Sequence, residues 1–554
     1  MRQGAMLNAY PDSLGRNLAQ TVQFLSHPEL KDAFNSFYIL PSVFNTDLDH
    51  GFSIINYELC TELAEKKDLN ALRALGLDLT FDMILNHISV LSPQFQDILK
   101  HGDKSENIGF FINWNQFWSG MGPLEADGCI HPAPEYFHSL SIHKDRLPVL
   151  MARMPDGREM PFWCSFYQQT VYPEPDLFDL LDAAGGHYQT AKRLSDHIVQ
   201  QLRAGCTPDN MDWTGFESCR DAASAWLKAN RHYLGQLDLD VRSPKVWEWY
   251  DSVFEQLAGH GASIIRLDAF PRLHKEPGRT NFMNEPESWD ILGRLQDMAG
   301  AHGLTVLPEI HSPYSTMAHR KIAAAGAMPY DYFLPGLLID AMDTGDAGWL
   351  YTWLKEQLTL GIRPVNMLGS HDGIPIRDLR GLLPDERIDA MAERVVERGG
   401  RRKLIHGVCT ETYQLITTYF EALGRDEQKL LAARAIQMFM PGTPQVWYLD
   451  LLAGLNDEEA LRRIPKPDDR EVNRHSYALE EAEAQLSRPI VQKQIELLRM
   501  RSGHPAFAME SVITAEQPDM NRLCIERRNG DAWARLEVDV KTASYHIELS
   551  GTAY

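Results

Sequence analysis

The stretch Ser-Ile-Ile-Arg-Leu-Asp-Ala-Phe at residues 263–270 decides the fold of this chain, because a short apolar run ends there in charged side chains. Its branched apolar residues are typical of a strand that is buried on both faces of a sheet. Arg266 and Asp268 lie two positions apart and therefore share one face of that strand. The preceding residues 243–258 carry apolar side chains at helical spacing. A helix followed by a buried strand is typical of parallel sheets with crossover helices.

The same unit recurs along the chain. Short apolar runs alternate with longer amphipathic segments, which is the pattern of strands joined by helices. The other runs span residues 5–10, 36–44, 77–85, 304–310, 330–338, 364–368 and 445–449. Together with residues 263–270 they make eight strands, which predict an α/β fold, namely a (β/α)8 barrel of the TIM type.

One long part of the chain breaks this alternation of strands and helices. We expect an inserted domain at residues 88–237, after the third barrel strand, with an extra helical piece at about residues 172–234. Extended structure is predicted at residues 110–118 and 162–171, and helices are predicted at residues 177–204 and 216–233. An insertion at this place could cover one side of a pocket, or it could serve as a packing or oligomer surface.

The end of the chain has a third pattern. Apolar and polar residues alternate with the period of antiparallel strands. The stretches concerned are residues 511–513, 523–528, 532–538 and 543–549. They predict a small C-terminal β-domain at residues 502–554, which leaves residues 1–87 and 238–501 for the barrel.

Composition and charge exclude several classes of function. The net charge is −22, so the surface is acidic and a nucleic-acid partner is not expected. No apolar run is long enough for a transmembrane helix, and the first residues do not resemble a signal peptide. Seven scattered cysteines without a Cys-x-x-Cys pair are typical of free thiols rather than of a zinc site. We therefore expect a cytoplasmic protein without a membrane partner, and the sequence leaves a homodimer open.

Acidic residues follow four of the predicted strands, each close to a histidine or an arginine. In barrels of this kind the catalytic groups lie at the carboxyl ends of the strands. Two carboxylates on adjacent strands can lie ~5–5.5 Å apart, the separation that a retaining glycosidase needs for its nucleophile and its acid/base. The residues are Asp82, Asn86 and His87 after the third strand, Arg266 and Asp268 on the fourth, Glu309 and His311 after the fifth, and His371 and Asp372 after the seventh.

This chemistry requires different protonation states of the two central carboxylates. Asp268 must be ionised to attack an anomeric carbon, and the adjacent Arg266 is expected to lower its pKa. Glu309 must be protonated to donate to the leaving oxygen, and the negative charges of Asp268 and Asp372 favour that form. A single aspartate at a strand end is more often a helix N-cap than a catalyst. The prediction therefore depends on the joint order of these residues along the barrel.

These four stretches resemble the four signature segments of the α-amylase superfamily, glycoside hydrolase family 13. The resemblance implies that Asp268 is the nucleophile, Glu309 the acid/base, and Asp372, beside His371, the carboxylate that helps to distort the substrate. Finer details are similar to the sucrose phosphorylase branch of that family, subfamily 18. They are Asp49-His-Gly51-Phe52, Ser92-Pro-Gln-Phe-Gln96-Asp97, Lys275-Glu276-Pro-Gly278, His371-Asp-Gly-Ile374, Arg380-Gly-Leu-Leu-Pro384-Asp385, Pro441-Gly-Thr-Pro444-Gln445-Val-Trp-Tyr448 and Asn473-Arg474-His475.

The resemblance also implies a closed pocket for a single glucosyl ring. Asp49 and Arg474 would clamp the hydroxyls far from the reacting carbon, as oppositely charged groups can. Phe52 would pack on an apolar face of the sugar, although ordinary core packing explains a buried phenylalanine equally well. His87 and His371 would hold the hydroxyls next to the reacting carbon.

A second set of residues resembles the acceptor side of the branch's site. Tyr413 and Gln414 match a loop that alternates between the sugar acceptor and phosphate. Glu411 stands where the branch carries an aspartate, which should alter the contacts to fructose. Gln169 ends a segment, residues 166–169, that resembles a segment of the branch but is one residue shorter.

One departure from the branch concerns phosphate. The branch carries an Arg-Pro-Arg-Pro-like stretch whose second arginine contacts phosphate, whereas residues 130–134 here are Ile-His-Pro-Ala-Pro. The arginine is therefore lost. Cations that could replace it are Arg377, Arg380, Arg401 and Arg402.

The leading interpretation is a retaining phosphorylase of small α-glucosides. Glucose would pass from the donor to Asp268 and then to inorganic phosphate as co-substrate, giving α-glucose 1-phosphate, and neither a cofactor nor a metal is implied. Sucrose is the default donor, while glucosylglycerol, glucosylglycerate and a phosphorylated sucrose stay open. A hydrolase with water as acceptor is the alternative that the lost arginine favours. A third interpretation, an inactive sugar-binding protein, is opposed by the presence of Asp268, Glu309, Arg266 and Asp372.

Overall fold

The computed structural model describes residues 3–137, 140, 147–404, 411–463 and 468–551. Its main sheet has eight parallel strands with helices between them, so the predicted (β/α)8 barrel is confirmed. In the order of the sheet the strands are Thr305–Pro308, Ala262–Asp268, Asp78–Ile84, Ser36–Ile39, Met6–Ala9, Thr443–Trp447, Val365–Asn366 and Tyr330–Asp331.

The helix Pro244–Gly259 shows how the sequence builds one unit of the barrel. Proline is favoured in the first turn of a helix, because its fixed φ is already helical and its missing N–H would be unpaired there. One face of the helix is buried and packs on the strand Ala262–Asp268. Burial of each large side chain on this face contributes about 1.5–3 kcal/mol. The side chains are Val246, Trp247, Tyr250, Val253, Phe254 and Leu257.

The barrel belongs to the first of two compact units, which comprises the described residues of Met1–Asn86, Pro134–Asp145 and Val241–Tyr554. Its helices are Leu18–Leu25, Lys66–Ala74, Pro134–Phe137, Pro244–Gly259, Glu287–Ala301, Ala318–Ala324, Leu334–Thr344, Gly348–Leu360, Asp385–Glu397, Tyr419–Ala422, Glu427–Phe439, Tyr448–Leu451, Ala460–Arg463, Leu479–Gln485 and Pro489–Gly503. Short strands outside the barrel are Phe44–Thr46, Ile54–Leu59, Ile374–Pro375, Arg401–Leu404 and Thr412–Ile416.

The sixth barrel strand is much shorter than the apolar run at residues 330–338 predicted. It ends at Asp331, and the helix Leu334–Thr344 begins three residues later. The buried carboxylate of Asp331 accepts the backbone N–H groups of Phe333 at 3.1 Å and Leu334 at 3.0 Å, and this starts the helix. The apolar run therefore covers a strand end and a buried helix, which periodicity alone does not separate.

The second compact unit contains the described residues of His87–Ala133 and Arg146–Asp240. The strand His232–Asp238 pairs antiparallel with His87–Ser89 and with Gln168–Val171. The other elements of the unit are the strands Val149–Arg153 and Glu159–Trp163 and the helices Pro93–His101, Trp114–Phe117, Tyr188–Arg203 and Arg220–Ala229. The domain boundaries given by the sequence stay a prediction.

Three elements of this unit differ from the prediction, and the first is the helix expected at residues 177–204, which begins only at Tyr188. Residues 110–118 are not extended throughout, because the Asn113 side chain accepts the N–H of Gln116 at 2.9 Å and caps the short helix Trp114–Phe117. The predicted helix at residues 216–233 ends at Ala229, and a strand begins at His232.

The extra helical piece has an apolar core of its own. Side chains from its two helices, from the loop between them and from the segment before the first helix pack together and are buried. Such a cluster gives the piece a source of stability independent of the barrel strands. Its members are Leu180, Leu194, Ile198, Met211, Trp213, Cys219, Ala223 and Leu227.

The C-terminal antiparallel sheet is confirmed. Its strands follow one another in chain order and are Val512–Glu516, Arg522–Asn529, Ala532–Asp539 and Ser544–Leu549. Arg527 is buried and donates to the carbonyl oxygens of Phe439 and Met440, so it ties the sheet to the end of the helix Glu427–Phe439. Across the residues that the structure describes, no helix combines the length and the apolar character needed to cross a bilayer.

Candidate active site

The register of three neighbouring strands brings the central carboxylates together. Arg266 lies opposite Asp82 on the third strand, and Leu267 lies opposite Pro308 on the fifth. Glu309 directly follows Pro308, and its N–H donates to the carbonyl of Leu267 at 3.1 Å. The carboxyl ends of the third, fourth and fifth strands therefore carry three acidic side chains at one place.

Arg266 joins these three carboxylates. Its Nη1 lies 2.5 Å from Asp82 Oδ1 and 3.0 Å from Asp268 Oδ1, and its Nη2 lies 2.6 Å from Glu309 Oε1. Only 4% of the Arg266 side chain is exposed, so this ion cluster is shielded from water. The second oxygen of Glu309 accepts the N–H of Ala269 at 3.0 Å, which fixes the glutamate beside the aspartate.

One cation does not neutralise three buried carboxylates. Burial raises the pKa of Asp268 well above its usual value, and the nearby Glu309 adds to that rise, while Arg266 opposes it. Burial also raises the pKa of Asp82 to about 6, against the effects of Arg266 and of the Tyr38 hydroxyl. Arg266 therefore acts on the pKa of Asp268 in the expected direction, but burial and Glu309 outweigh it, and the net shift is upward. Burial and the excess of carboxylates therefore favour keeping a proton in the cluster.

His311 links Glu309 to a buried aspartate that the sequence did not single out. Its Nε2 lies 3.8 Å from Glu309 Oε1, and its Nδ1 lies 3.3 Å from Asp378 Oδ2. The ring stacks on Tyr332 with 3.7 Å between centroids. Burial disfavours the charged ring, but Asp378 and then Glu309 raise the pKa of His311 above its usual value. A second positive charge is thus available at the edge of the Arg266 cluster.

Phe52 and His371 form a stacked pair on another side of the same pocket. Their ring centroids lie 5.0 Å apart at an interplanar angle of 11°, and both side chains are buried. The Arg266 guanidinium lies 5.7 Å from the Phe52 ring centroid. Phe52 therefore packs directly beside the cluster of carboxylates and is in reach of a ligand there.

Arg470 is the residue that sequence reasoning missed. Its Nη2 lies 2.6 Å from Asp49 Oδ1 and its Nη1 lies 2.9 Å from Asp372 Oδ1, so it bridges two of the predicted site residues. Asp468 holds the arginine from its own loop at 2.7 Å. In the sequence Arg470 stands among Asp468, Asp469 and Glu471, which resembles a solvated charged loop and gives no specific signal.

Arg474, predicted to clamp far hydroxyls together with Asp49, has its contacts on the side of Asp372. Its Nε donates to the His371 carbonyl at 3.0 Å, and its Nη2 lies 3.6 Å from Asp372 Oδ1. Both Nη atoms are buried and have no hydrogen-bond partner among the residues that the structure describes. Buried guanidinium donors of this kind are costly unless a ligand or water accepts from them.

Asp372 is held in its charged form. Burial disfavours ionisation, but His371, Arg470, Lys403 and Arg474 together lower the pKa of Asp372 well below its usual value. Burial in turn lowers the pKa of the His371 ring well below its usual value, so the ring is neutral. The arginines and the lysine therefore supply the positive charge that Asp372 requires.

The acceptor-side residues lie on and beside the strand Thr412–Ile416. The Tyr413 ring lies 5.9 Å from the His311 ring, and Gln414 is buried. Glu411, just before the strand, accepts from Arg377 Nε at 3.2 Å and lies 3.4 Å from Arg380 Nε. The structure thus places Tyr413 next to the histidine that contacts Glu309, and two cations next to Glu411.

Two predicted residues belong to the second compact unit. His87 is the first residue of the strand His87–Ser89, and its ring lies 4.7 Å from the Phe166 ring. Gln169 lies on the strand Gln168–Val171 and accepts the Tyr167 hydroxyl at 2.7 Å. The other predicted residues lie in the first unit, in or around the pocket described above.

The enclosed space of the pocket is about 20 Å³, room for about one water molecule. Its lining combines a buried cation, carboxylates and aromatic rings, as a polar ring-shaped ligand requires. The lining residues are Tyr38, Arg266, Glu309, His311, Tyr330, Tyr332, Met367, Ser370, His371, Asp372 and Gln445. Within the described part of the chain, no group of three or more His, Cys, Asp or Glu residues is placed to hold a metal ion.

Comparison with known proteins found no matching family model. The chain is 44% identical over 551 residues to the sucrose 6(F)-phosphate phosphorylase of Ilumatobacter coccineus, which covers 98% of this chain and 95% of that protein. It is 29% identical over 550 residues to the glucosylglycerol phosphorylase of Marinobacter adhaerens, and the alignment covers 98% of this chain and 95% of that protein. The crystal structure of sucrose 6F-phosphate phosphorylase from Thermoanaerobacter thermosaccharolyticum matches with a TM-score of 0.81 at 29% identity, covering 100% of this chain and 96% of that one.

Proposed function

The chain belongs to the sucrose phosphorylase-like branch of the α-amylase superfamily, glycoside hydrolase family 13, and on that premise we propose that its preferred donor is sucrose phosphorylated on the fructosyl unit. As a member of this branch the protein is a phosphorylase of small α-glucosides, with inorganic phosphate as co-substrate. The observation that carries the choice of donor is the 44% identity, over nearly the whole chain, to a sucrose 6(F)-phosphate phosphorylase. Identity to the glucosylglycerol phosphorylase is lower, at 29%.

In the first half of the reaction Asp268 acts as the nucleophile and Glu309 as the acid. The Asp268 carboxylate bonds to the anomeric carbon, the bond from that carbon to the fructosyl oxygen breaks, and Glu309 gives its proton to this oxygen. The products are a β-glucosyl ester on Asp268 and a free phosphorylated fructose. The cluster around Arg266 supports this assignment, because the arginine contacts both carboxylates and stays in place while the proton moves.

In the second half the roles of the two carboxylates reverse. An oxygen of inorganic phosphate attacks the anomeric carbon, Glu309 takes the proton of the phosphate hydroxyl, and the ester bond to Asp268 breaks. The product is α-glucose 1-phosphate, with the configuration of the donor retained. His311 supports this step, since it lies 3.8 Å from Glu309 and its raised pKa favours the protonated ring, which attracts an anion.

The glucosyl ring is held by groups that the structure keeps charged or apolar. Asp372 stays ionised beside the neutral His371, and Phe52 stacks on that histidine. The unpaired Nη atoms of Arg474 donate to the sugar hydroxyls. Asp49, fixed by Arg470, accepts from hydroxyls far from the reacting carbon.

Rates with three donors test this proposal. The purified protein is incubated with sucrose 6F-phosphate, sucrose or glucosylglycerol, with and without inorganic phosphate, and glucose 1-phosphate and free glucose are measured separately. We expect glucose 1-phosphate only when phosphate is present, and the highest kcat/KM with sucrose 6F-phosphate.

Other results have definite meanings. Free glucose formed at the same rate with or without phosphate would show that water is the acceptor and would refute phosphorolysis. A higher kcat/KM with glucosylglycerol or with unphosphorylated sucrose would refute the proposed donor and leave the chemistry of Asp268 and Glu309 untouched.

We also place the enzyme in the cytoplasm. None of the six cysteines in the described part of the chain forms a disulfide bond, and three of them are buried. Free thiols are kept in that state by a reducing compartment, which is also where inorganic phosphate and phosphorylated sugars are available.

A further inference from the structure

We propose that Arg377 and Arg380 form the site that binds the phosphoryl group of the phosphorylated donor. The inference rests on the proposed function, because it assigns residues to the group that distinguishes sucrose 6F-phosphate from sucrose. The ligand is a phosphomonoester dianion carried by the fructosyl unit.

The two arginines converge on one carboxylate oxygen. Glu411 Oε1 lies 3.2 Å from Arg377 Nε and 3.4 Å from Arg380 Nε. Each arginine side chain is 37% exposed, whereas that of Glu411 is 21% exposed. Glu411 therefore lies behind the pair and sets its position, and the cationic groups are open to a ligand.

The pair has a surplus of positive charge. A single carboxylate neutralises one of the two guanidinium groups. Asp385 lies 3.9 Å from Arg380 Nη1, but its side chain is 60% exposed, so water and salt weaken that contact. A phosphate dianion supplies the missing negative charge and accepts several N–H groups at once, a geometry that guanidinium groups favour.

The pair lies on the side of the site from which the fructosyl unit leaves. Glu309 protonates the leaving oxygen, and His311 lies 3.8 Å from Glu309. Asp378, the neighbour of Arg377 in the chain, binds the His311 ring at 3.3 Å and the Ser312 N–H at 2.9 Å. The loop that carries Arg377 is thus fixed to the acid/base through His311.

A second connection joins the pair to the acceptor-side strand. The N–H of Ile376 donates to the Tyr413 carbonyl at 3.4 Å, and the Tyr413 ring lies 5.9 Å from the His311 ring. Glu411, which contacts both arginines, stands two residues before Tyr413. The segment that carries Arg377 and the carboxylate that contacts the pair are therefore anchored to the same strand.

The other arginines that the sequence offers for this task are engaged elsewhere. Both terminal nitrogens of Arg401 bind the two oxygens of Glu458, at 3.0 and 2.6 Å. Arg402 lies 4.0 Å from Glu393 and stands on the adjacent position of the same strand. Side chains alternate along a strand, so Arg401 and Arg402 point to opposite faces and do not converge as Arg377 and Arg380 do.

The test compares the donor preference of the wild-type enzyme with those of Arg377→Gln, Arg380→Gln and the double variant. The kcat/KM is measured for sucrose 6F-phosphate and for sucrose at a fixed phosphate concentration. We expect each single substitution to lower the value for sucrose 6F-phosphate by about 10- to 100-fold, the effect of losing one charge-assisted hydrogen bond. The value for sucrose should change by less than about 3-fold, which also shows that each variant is folded.

Arg401→Gln is the matched control, because it removes an arginine from a carboxylate pair that has no place in the inference. It should leave the ratio of the two donors unchanged. A second measurement separates the two sources of phosphate, namely the KM for inorganic phosphate with sucrose as donor, which we expect to stay the same in the Arg377 and Arg380 variants.

The outcomes separate the failure of the site from the failure of the proposed function. A wild-type enzyme that prefers sucrose refutes the proposed donor, and the site with it. A wild-type enzyme that prefers sucrose 6F-phosphate, with the same ratio in all variants, overturns the site alone. A raised KM for inorganic phosphate with an unchanged donor ratio also overturns it, because the pair would then bind the acceptor.

Discussion

Two arginine clusters of this molecule bind carboxylates at short distances, yet the net pKa shifts of those carboxylates have opposite directions. Arg266 contacts Asp82, Asp268 and Glu309 in a buried place, and the pKa of Asp268 is raised. Arg470 contacts Asp49 and Asp372 in a more open place, and the pKa of Asp372 is lowered. The distance from a carboxylate to its arginine therefore does not decide whether that carboxylate is charged.

The balance of charges around a carboxylate decides whether that carboxylate is ionised. Around Arg266 one cation faces three carboxylates, and burial penalises every charge, so keeping a proton in the cluster is favoured. Around Asp372 the combined effects of His371, two arginines and Lys403 outweigh the cost of burial, although Arg470 also binds Asp49 and Asp468. This difference matches the chemistry, because acid/base transfer needs a mobile proton and the binding of hydroxyls needs a fixed negative charge.

Removing the nucleophile should have the largest effect on activity. Asp268→Asn eliminates the group that forms the glucosyl ester, and we expect kcat to fall by at least about 10⁴-fold. It also removes one negative charge from a cluster in which three carboxylates surround one arginine. The thermal midpoint should therefore stay the same or rise, in contrast to most substitutions of buried residues.

Phosphorolysis rates and thermal unfolding are measured on the same preparation of this variant. Retained turnover would contradict the assignment of Asp268 as nucleophile. A midpoint that falls by many degrees would contradict the surplus of negative charge around Arg266.

Breaking the second cluster should have the next largest effect. Arg470→Gln removes the cation between Asp49 and Asp372, and we expect kcat/KM to fall by about 10- to 100-fold. The pKa of Asp372 should rise toward its usual value, because one of its cations is lost. The acidic limb of the profile of kcat/KM against pH should therefore move to higher pH than in the wild type.

Arg470→Lys is the matched variant, since it keeps the charge and loses the fork that binds two carboxylates. Its acidic limb should stay closer to that of the wild type, although its kcat/KM is reduced. An acidic limb that is the same in the wild type and in Arg470→Gln would show that Arg470 only supports the loop.

The strand-end residues could be predicted because their placement follows from repetition. Arg266 and Asp268 stand at the end of a buried strand, and parallel strands carry their ends to one edge of a barrel. Arg470 follows no period, since it lies in a loop whose course depends on contacts with Asp49 and Asp372. Its two partners are each separated from it by a long stretch of chain, so no local pattern reveals the bridge.

The protonation of Asp268 shows a second limit of the sequence. Arg266 at two residues' distance predicts a lowered pKa, and the contact is present at 3.0 Å. Burial and then Glu309 reverse the net direction, but the sequence does not give the degree of burial, and Glu309 comes from another strand. A neighbour in sequence thus predicts a contact, while the charge state depends on all neighbours in space.

A change in the charge of His311 should have a smaller effect on the charge balance around Arg266. Its pKa is raised above the usual value chiefly by Asp378, against burial. A raised pKa in the folded state contributes stability that is fully present below about pH 6.5 and is lost as the pH rises through the folded-state pKa. Asp378→Asn removes the charge and keeps an oxygen for the Ser312 N–H. We expect it to lower the free energy of unfolding by about 1–3 kcal/mol at pH 5.5 and by much less at pH 9.

Thermal unfolding of both proteins across this range measures the effect, and a second His–Asp pair serves as control. His302 lies 2.9 Å from Asp251, whose side chain is 57% exposed, so Asp251→Asn should give a small difference at every pH. A difference for Asp378→Asn that is equally large at both ends of the range would mean that Asp378 acts through packing or hydrogen bonding alone. The negative charge of the three carboxylates around Arg266 would then be offset without a charge on His311. A proton kept on one of these carboxyl groups would be the main contribution besides Arg266.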